Sequence, residues 1–198
     1  MRVYVVFILL LTGCVASKDP QRSEIRRLYK HAEKEDSSYV YALPYEKGAA
    51  YRVVQGYYGA FTHKNRVAVD FKMKPGTKIL AARGGVVVRA EGTNNKGGWS
   101  RKFRKYANFI VLEHEDGSRA GYWHLQQGGV LVNVGDTVQQ GQVIGRSGKT
   151  GYSFMPHLHF MVWNNANSQW QQLPTRFATR KGPRYLKPFK QYKNPSTP

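Results

Sequence analysis

Short runs of apolar and β-branched residues, separated by glycine turns, dominate the chain after residue 50. Runs of about four to eight such residues, bounded by Gly, Asn or Asp, indicate β-strands. We predict strands at 67–71, 86–88, 108–112 and 159–162. No helical period occurs after residue 40, and the 20 glycines fit many tight turns. The pattern predicts a mainly β fold, a small antiparallel β-sandwich or half-open barrel.

The N-terminal part of the chain has a different pattern. Asp19-Pro20 is a typical helix start, because a capping side chain precedes a proline at the first helical position. Apolar residues then recur at helical spacing as Ile25, Leu28, Tyr29 and Ala32. We therefore predict one short amphipathic helix that ends near residue 35.

The first residues indicate export and lipid anchoring. Residues 3–11 are apolar, too few to span a bilayer, which needs about 20, but suited to a signal peptide. The following Leu11-Thr12-Gly13-Cys14 resembles a bacterial lipobox, and the alternative is an ordinary signal peptide with an incidental cysteine. We expect residues 1–13 to be removed and Cys14 to carry a lipid anchor in a membrane. Val15 occupies the place where Asp usually retains a lipoprotein in the inner membrane. The expected location is therefore the cell envelope, at the outer membrane facing the periplasm in a Gram-negative cell.

Composition adds a large positive charge. The chain has 31 Lys and Arg against 12 Asp and Glu, a formal net charge of +19. No acidic residue follows Asp136, and the last 28 residues carry seven basic ones. Such a balance favours polyanions. For an exported protein we expect anionic envelope polymers or lipid surfaces as partners, and no nucleic acid, since no nucleic-acid motif occurs.

The length allows one domain with extensions. We predict a tether at 14–50 that includes the helix, a domain at 51–170 and a basic C-terminal extension at 171–198, in a monomer. Residues 96–105 interrupt the strands and are predicted to form a long basic hairpin. It is either a solvated loop or a groove wall, with Trp99 and Phe103 as stacking surfaces.

The histidines carry the candidate chemistry. His157 and His159 lie two apart on a predicted strand, so both rings face one side. Two His and one Asp around a tetrahedral ion leave a fourth position for water, as in catalytic zinc sites. The alternative is a chance pair on a wet strand. No His-Glu-x-x-His helix occurs, so a histidine must move the proton. A strand at 120–124 is predicted to place Tyr122 and His124 on one face, with Tyr122 either near the groove or packed in the core. His114 is predicted at the surface.

Several motifs occur in order between residues 51 and 163. The first runs from Asp70 through Gly76-Thr77 and Ala81 to Gly85-Val86-Val87. The others are Tyr122-Trp123-His124-Leu125, Gly135-Asp136-Thr137-Val138, Gly141-Gln142-Val143-Ile144-Gly145, Gly148-Lys149-Thr150-Gly151 and Pro156-His157-Leu158-His159-Phe160. Together they resemble the motifs of the lysostaphin/LytM-type zinc endopeptidases, the M23 family of bacterial cell-wall hydrolases.

The resemblance implies residue roles and a substrate. His63, Asp70 and His159 would bind one Zn²⁺, and His124 and His157 would be the catalytic pair. The substrate would be peptidoglycan, cut at amide bonds of its cross-link peptides.

Two positions depart from the family pattern. His63 and Asp70 are seven residues apart, whereas the family's first motif is usually His-x-x-x-Asp, so we expect a wider loop ahead of the Asp70 strand. Met161 stands where the family often has Glu, so another acceptor must orient a ring.

Two other classes of protein share parts of these patterns. A catalytically inactive wall-binding or hydrolase-activating protein of the same fold would lack one or more of the five site residues, and this chain keeps all five. A biotinyl- or lipoyl-type carrier has similar glycine turns but needs a lysine at a hairpin tip, in a setting such as Met-Lys-Met. None occurs there, so the leading hypothesis is a zinc metalloendopeptidase.

Overall fold

A computed structural model describes residues 38–164 and 170–195, together with Ser23, Arg27 and Tyr29. These three residues have helical backbone, in agreement with the predicted N-terminal helix. The rest of that helix, the apolar leader and Cys14 lie outside the described residues. Within the described part, no helix is long and apolar enough to cross a membrane.

Strands are the main regular secondary structure of the described chain. One 3₁₀ helix, Arg101–Tyr106, interrupts them. The strands are β1 Val40–Tyr41, β2 Ala50–Gln55, β3 Ala68–Lys72, β4 Lys78–Leu80, β5 Gly85–Glu91, β6 Gly97–Gly98, β7 Asn108–Glu113, β8 Arg119–Val130, β9 Thr137–Val138, β10 Val143–Ser147, β11 Gly151–Tyr152, β12 His157–Asn164, β13 Gln171–Leu173, β14 Arg176–Phe177, β15 Arg184–Tyr185 and β16 Gln191–Lys193.

The principal sheet is antiparallel, which confirms the predicted mainly β fold. Its main path runs β16-β2-β3-β12-β8-β7-β5-β9, with β10 joining β4 to β8 and β13 beside β12. Strand β12 lies between β3 and β8, pairing His159 with Asp70 on one side and with Trp123 on the other. The centre of the sheet therefore brings together the strands that carry four of the predicted site residues.

Alternation along β12 separates the core from a groove. Leu158 and Phe160 face the main core, where they are 0% and 1% exposed. His157 and His159 lie on the opposite face and line an open cavity of about 1180 Å³. Because side chains alternate along a strand, the packed core fixes the backbone from which the histidines project.

The segment predicted as a C-terminal extension packs against the domain. Strands β14 and β15 form a small sheet with β1, and β16 pairs with β2. Phe177 and Leu186 are fully buried in the main core. Tyr41, from the segment predicted as a tether, is buried in the same core. The boundaries at residues 50 and 170 stay predictions, but the described residues on both sides of them share one core.

The predicted basic hairpin at 96–105 is wrong. Strand β6 pairs in parallel with β11, and a 3₁₀ helix follows after Ser100. A side chain at Gly97 would put its Cβ 2.0 Å from the Lys149 carbonyl oxygen, so only glycine permits this pairing. A strand that packs on a core would bury every second side chain, and this segment has four closely spaced cations. The helical turns leave all four exposed: Arg101, Lys102, Arg104 and Lys105.

The prediction that His114 lies at the surface is also wrong. The side chain is 3% exposed and its ring packs 5.6 Å from that of Tyr41. Its Nδ1–H donates to the Gly84 carbonyl over 2.7 Å. The β7–β8 turn is polar, but β1 covers this ring from elsewhere in the chain. Burial lowers the pKa of His114.

Candidate metal centre and active site

Four segments deliver the five predicted site residues to one groove. Asp70 lies on β3, His124 on β8, and His157 and His159 on β12. His63 comes from the loop between β2 and β3, which is wide, as the spacing predicted. All five line the same cavity.

Three ligand atoms converge at the base of this groove. Asp70 Oδ1 lies 2.8 Å from His159 Nδ1 and 3.2 Å from His63 Nε2, and the two ring nitrogens are 3.1 Å apart. Ligands about 2.1 Å from a tetrahedral zinc ion lie roughly 3.4 Å from one another. The three atoms are therefore spaced closely enough to share one metal ion.

A backbone carbonyl orients His63. Its Nδ1 lies 3.0 Å from the Gly56 carbonyl oxygen, which can only accept, so Nδ1 carries the proton and Nε2 keeps its lone pair. Burial lowers the pKa of His63, but attraction to the Asp70 carboxylate and a hydrogen bond that this carboxylate accepts outweigh burial and raise the pKa overall. This corner of the groove therefore stabilises positive charge, as a cation site must.

Gln55 forms hydrogen bonds both with Asp70 and with the loop that carries His63. Its Nε2 donates to Asp70 Oδ2 over 3.0 Å and to Thr62 Oγ1 over 2.7 Å. Its Oε1 accepts from the backbone N–H groups of Phe61 and Thr62, next to His63. Sequence reasoning missed this residue. The available signal was a polar side chain, buried here, directly after Val53 and Val54.

His124 and His157 form a second pair beside the first cluster, with ring centroids 4.6 Å apart. The Nδ1 atom of His124 donates to the Thr150 carbonyl over 2.7 Å, and that of His157 donates to the Met155 carbonyl over 2.8 Å. Both rings are thereby held in the tautomer whose Nε2 has a lone pair. The Thr150 and Met155 carbonyl oxygens therefore accept the hydrogen bonds that orient these rings. They take the place of the carboxylate that the family often has at position 161.

A β-bulge turns His124 toward the groove. Trp123 pairs with Phe109 and Leu125 pairs with Asn108, so His124 is one extra residue on β8. Its φ is 67°, a left-handed conformation that costs a non-glycine residue about 1–3 kcal/mol. Because of the bulge, Tyr122 is fully buried in the core while His124 lines the groove, so the prediction that both share one face is wrong.

Burial and neighbouring charges set the pKa values of the site. Burial lowers the pKa of His124, and the adjacent His157 and His159 lower it further, well below its usual value. Burial likewise lowers the pKa of His159, to about 4, against the attraction of Asp70. Burial would raise the pKa of Asp70, but the facing histidines hold it well below its usual range. Near neutral pH the site therefore holds a carboxylate and a neutral His124.

His159 belongs to two overlapping groups of ligand atoms. One comprises His63, Asp70 and His159, and the other comprises His124, His157 and His159. Only the first includes a carboxylate, which offsets the charge of a divalent ion. The donor set of the first group, two imidazoles and one carboxylate, fits zinc. The assignment of these ligands, and of His124 and His157 as the catalytic pair, stays a prediction.

The model of peptidase family M23 matches residues 64–170, more than half of the 198 residues. The chain belongs to peptidase family M23. The match covers Asp70, His124, His157 and His159 and begins one residue after His63.

Named relatives of this M23 chain are much longer than the matched segment. The glycyl-glycine endopeptidase ALE-1 of Staphylococcus capitis is 44% identical over 105 residues, 52% of this chain and 26% of that protein. The peptidoglycan DD-endopeptidase ShyA of Vibrio cholerae is 35% identical over 91 residues, 46% of this chain and 18% of that protein. The chain thus spans about a quarter or less of these relatives.

One solved structure shares the fold. The M23 metalloprotease pseudoalterin, from the deep sea, superposes with a TM-score of 0.51 and 18% identity, covering 79% of this chain and 96% of that one. At this identity the likeness concerns the fold alone.

Aromatic side chains form one wall of the M23 groove. Trp99 is 57% exposed, and its ring lies 5.6 Å from Tyr152 and 5.0 Å from Phe154. All three line the cavity. Of the two stacking surfaces expected in residues 96–105, Trp99 lies at the groove. Phe103 is half-buried, packs against Tyr106 and is not among the residues that line the groove.

Proposed function

We propose that this M23 chain is a zinc-dependent endopeptidase that hydrolyses amide bonds in peptidoglycan cross-link peptides. The observation that carries the proposal is the convergence of His63 Nε2, Asp70 Oδ1 and His159 Nδ1 at the base of an open groove. Two further imidazoles with free lone pairs stand directly beside them. A structural histidine cluster has no need of this second pair.

The three converging residues would hold the zinc ion. When bound, zinc supplies Lewis acidity, which acidifies a water molecule and polarises an amide carbonyl. Asp70 keeps the charge balance of the site, and Gln55 fixes the orientation of its carboxylate. The Gly56 carbonyl fixes the ring of His63.

His124 and His157 would move the protons. Hydrolysis of an amide takes a proton from water and gives one to the departing amine. His124 is neutral near pH 7 because burial lowers its pKa, so its Nε2 can accept a proton. His157 lies within 4.6 Å of it, ring centre to ring centre, and its Nε2 also faces the groove. The two rings can therefore serve as proton acceptor and proton donor to an amide bound in the groove.

The substrate class rests on the relatives and on the shape of the site. One relative is a glycyl-glycine endopeptidase and another is a peptidoglycan DD-endopeptidase. The groove is open and has an aromatic wall, which suits an extended peptide. An inactive wall-binding protein of the same fold remains the alternative, and no observation at the site favours it.

We also propose an envelope location. The Leu-Thr-Gly-Cys sequence supports lipidation of Cys14 after removal of residues 1–13. The net charge of +19 supports attraction to anionic envelope polymers or lipid surfaces. Cys14→Ser should release the protein from membranes or block its processing, measured by fractionation and by intact mass. Recovery of mature, membrane-free protein with an unmodified Cys14 would refute the anchor.

The experiment that tests the proposed activity is a digest of purified peptidoglycan, analysed by mass spectrometry. Zinc-loaded protein should convert cross-linked muropeptides into products that have gained one water for each bond cut. Chelation should stop the reaction and added zinc should restore it. Binding to peptidoglycan without any new product would favour the inactive alternative.

A further inference from the structure

Tyr29, on the N-terminal helix, packs against the domain. Its ring stacks on that of Tyr57, with the ring centroids 5.9 Å apart and the planes at 20°. Its hydroxyl donates to the carbonyl of Leu186 over 3.2 Å, and Leu186 is fully buried in the main core. Of the three described residues of this helix, Tyr29 is half-buried, whereas Ser23 and Arg27 are exposed. The helix is therefore attached to the domain by the side that carries Tyr29.

Tyr29 also lies against the residue that orients His63. Gly56 directly follows β2, and its carbonyl accepts the Nδ1–H of His63 over 3.0 Å. A Cβ at Gly56 would lie 3.2 Å from the Tyr29 hydroxyl oxygen and 3.3 Å from Cδ of Pro188. Distances this short leave little room for a side chain, so the N-terminal helix and the C-terminal segment close directly on the Gly56 backbone. The carbonyl that holds the His63 ring therefore belongs to a residue that is enclosed by parts of the chain outside its own loop.

The backbone immediately after Gly56 is strained. Tyr58 has a φ of 52°, a left-handed conformation that a non-glycine residue keeps only where its surroundings hold it. The Tyr57 hydroxyl donates to the Thr175 carbonyl over 3.0 Å and accepts from the Thr175 backbone N–H over 2.7 Å. These bonds fix the tip of the Tyr57 side chain, and Tyr29 covers the face of its ring. The conformation of residues 56–58 therefore depends on contacts from both ends of the chain.

We propose that Tyr29 is a positioning residue of the metal centre. By docking on Gly56 and Tyr57, it holds in place the carbonyl that orients the His63 ring. This inference rests on the proposed function, because His63 is a proposed zinc ligand. It gives the segment predicted as a tether a second role: when its helix is docked, zinc should bind more tightly than when the helix is released from the domain.

Two substitutions of Tyr29 in the full chain test this role through zinc affinity, measured by competition with a chromogenic chelator. Loss of a partner directly behind a metal ligand weakens metal binding about 10- to 100-fold, and Tyr29 acts one contact further away, so we expect a loss of about three- to tenfold in Tyr29→Ala. Tyr29→Phe keeps the ring contact with Tyr57 and loses only the hydrogen bond to Leu186, so its affinity should stay within about twofold of that of the unaltered protein.

Two control variants separate positioning from general stability. Arg27→Ala changes an exposed side chain of the same helix and should leave zinc affinity unchanged. Val138→Ala truncates a side chain that is 2% exposed on β9, at the opposite end of the main sheet path from β2 and β16. It should lower the Tm and leave zinc affinity unchanged, because Val138 lies far along the sheet from Gly56.

Amide hydrogen exchange of the zinc-free chain gives a second readout that does not depend on the metal. The N–H of Tyr58 donates to the Arg66 carbonyl over 2.9 Å, and the N–H of Arg66 donates to the His63 carbonyl over 3.1 Å. Release of Tyr29 should let the strained segment open locally, so in Tyr29→Ala these two amides should exchange about threefold faster or more. In Val138→Ala they should exchange no faster than the other amides of the sheet. Tyr29→Leu, which keeps apolar volume but not the flat ring, should show the same local change and replaces Tyr29→Ala if that variant folds poorly.

The outcomes separate this inference from the proposed function. Unchanged zinc affinity and unchanged exchange in Tyr29→Ala, or an equal loss of affinity in Val138→Ala, would overturn the positioning role while leaving the proposed peptidase intact. No zinc binding by the unaltered protein would refute the proposed function. Faster local exchange in the zinc-free Tyr29→Ala chain would, even then, support the role of Tyr29 in holding the loop that carries His63.

Discussion

Gln55 should control zinc affinity although it is not a ligand. Gln55→Ala removes the donor to Asp70 Oδ2 and the acceptor for the backbone N–H groups of Phe61 and Thr62. Asp70 would then be free to rotate, and the loop that presents His63 would lose two anchors. The variant therefore loosens two of the three proposed ligands at once.

The magnitude follows from these contacts. A hydrogen bond to a charged group contributes about 1.5–3 kcal/mol. Loss of such a partner behind a metal ligand typically weakens metal binding about 10- to 100-fold, or about 1.4–2.7 kcal/mol. The two ranges agree, so we expect zinc affinity to fall about 10- to 100-fold in Gln55→Ala. Stability should fall as well, because Gln55 is only 6% exposed.

Competition with a chromogenic chelator measures the affinity, and Val53→Ala is the matched control. Val53 lies two residues earlier on β2 and is fully buried in the core. Its truncation should lower the Tm without touching Asp70. If Gln55→Ala binds zinc as tightly as the unaltered protein, or if Val53→Ala loses as much affinity, the proposed positioning role is refuted.

Three further predictions concern other parts of the molecule. His124→Ala and His157→Ala should keep zinc and fold but lose peptidoglycan hydrolysis by about 100-fold or more, measured by product release. Burial lowers the pKa of His114 in the folded chain, so below about pH 6.5 the unfolded chain binds the proton more readily and stability should fall by up to about 1.4 kcal/mol per pH unit. His114→Asn, which can still donate to Gly84, should lose less stability than the unaltered protein between pH 7 and 5; equal losses would refute this. Co-sedimentation of the protein with anionic envelope polymer should weaken above about 0.1 M salt, where the Debye length is about 10 Å. It should also weaken in the variant R180E/K181E, which reverses two exposed positive charges. Salt-independent binding by both forms would exclude electrostatic targeting.

Electrostatic binding by the C-terminal segment is tested by substitutions rather than by deletion, because this segment packs into the core. Deletion of residues 171–195 would remove β13 to β16, and with them Phe177 and Leu186, two fully buried side chains of the main core. Its basic side chains are mostly exposed, so they can be replaced singly without disturbing the core.

The sequence was sufficient to predict what depends on local periodicity. The alternation in His157-Leu158-His159-Phe160 identified both the strand and the groove face, because the core needs every second residue apolar. The wide loop before Asp70 followed from the spacing to His63. These features depend on residues close together in the chain.

Other features depend on partners that are distant in sequence. The bulge at His124 exists because Asn108 pairs with Leu125, and a single strand does not reveal an extra residue relative to its neighbour. His114 is buried because Tyr41 covers it, although its own surroundings in the chain are polar. The burial of Phe177 likewise requires β1, some 135 residues earlier, and its basic neighbours mask the signal.

Zinc stoichiometry in ligand variants is the decisive measurement, since every proposed step depends on the three converging atoms. Elemental mass spectrometry of purified protein should find one zinc per chain in the unaltered protein and in His124→Ala. It should find little zinc in His63→Ala, Asp70→Ala and His159→Ala. One tightly held zinc in His63→Ala, or none in the unaltered protein, would show that the metal centre is assigned wrongly.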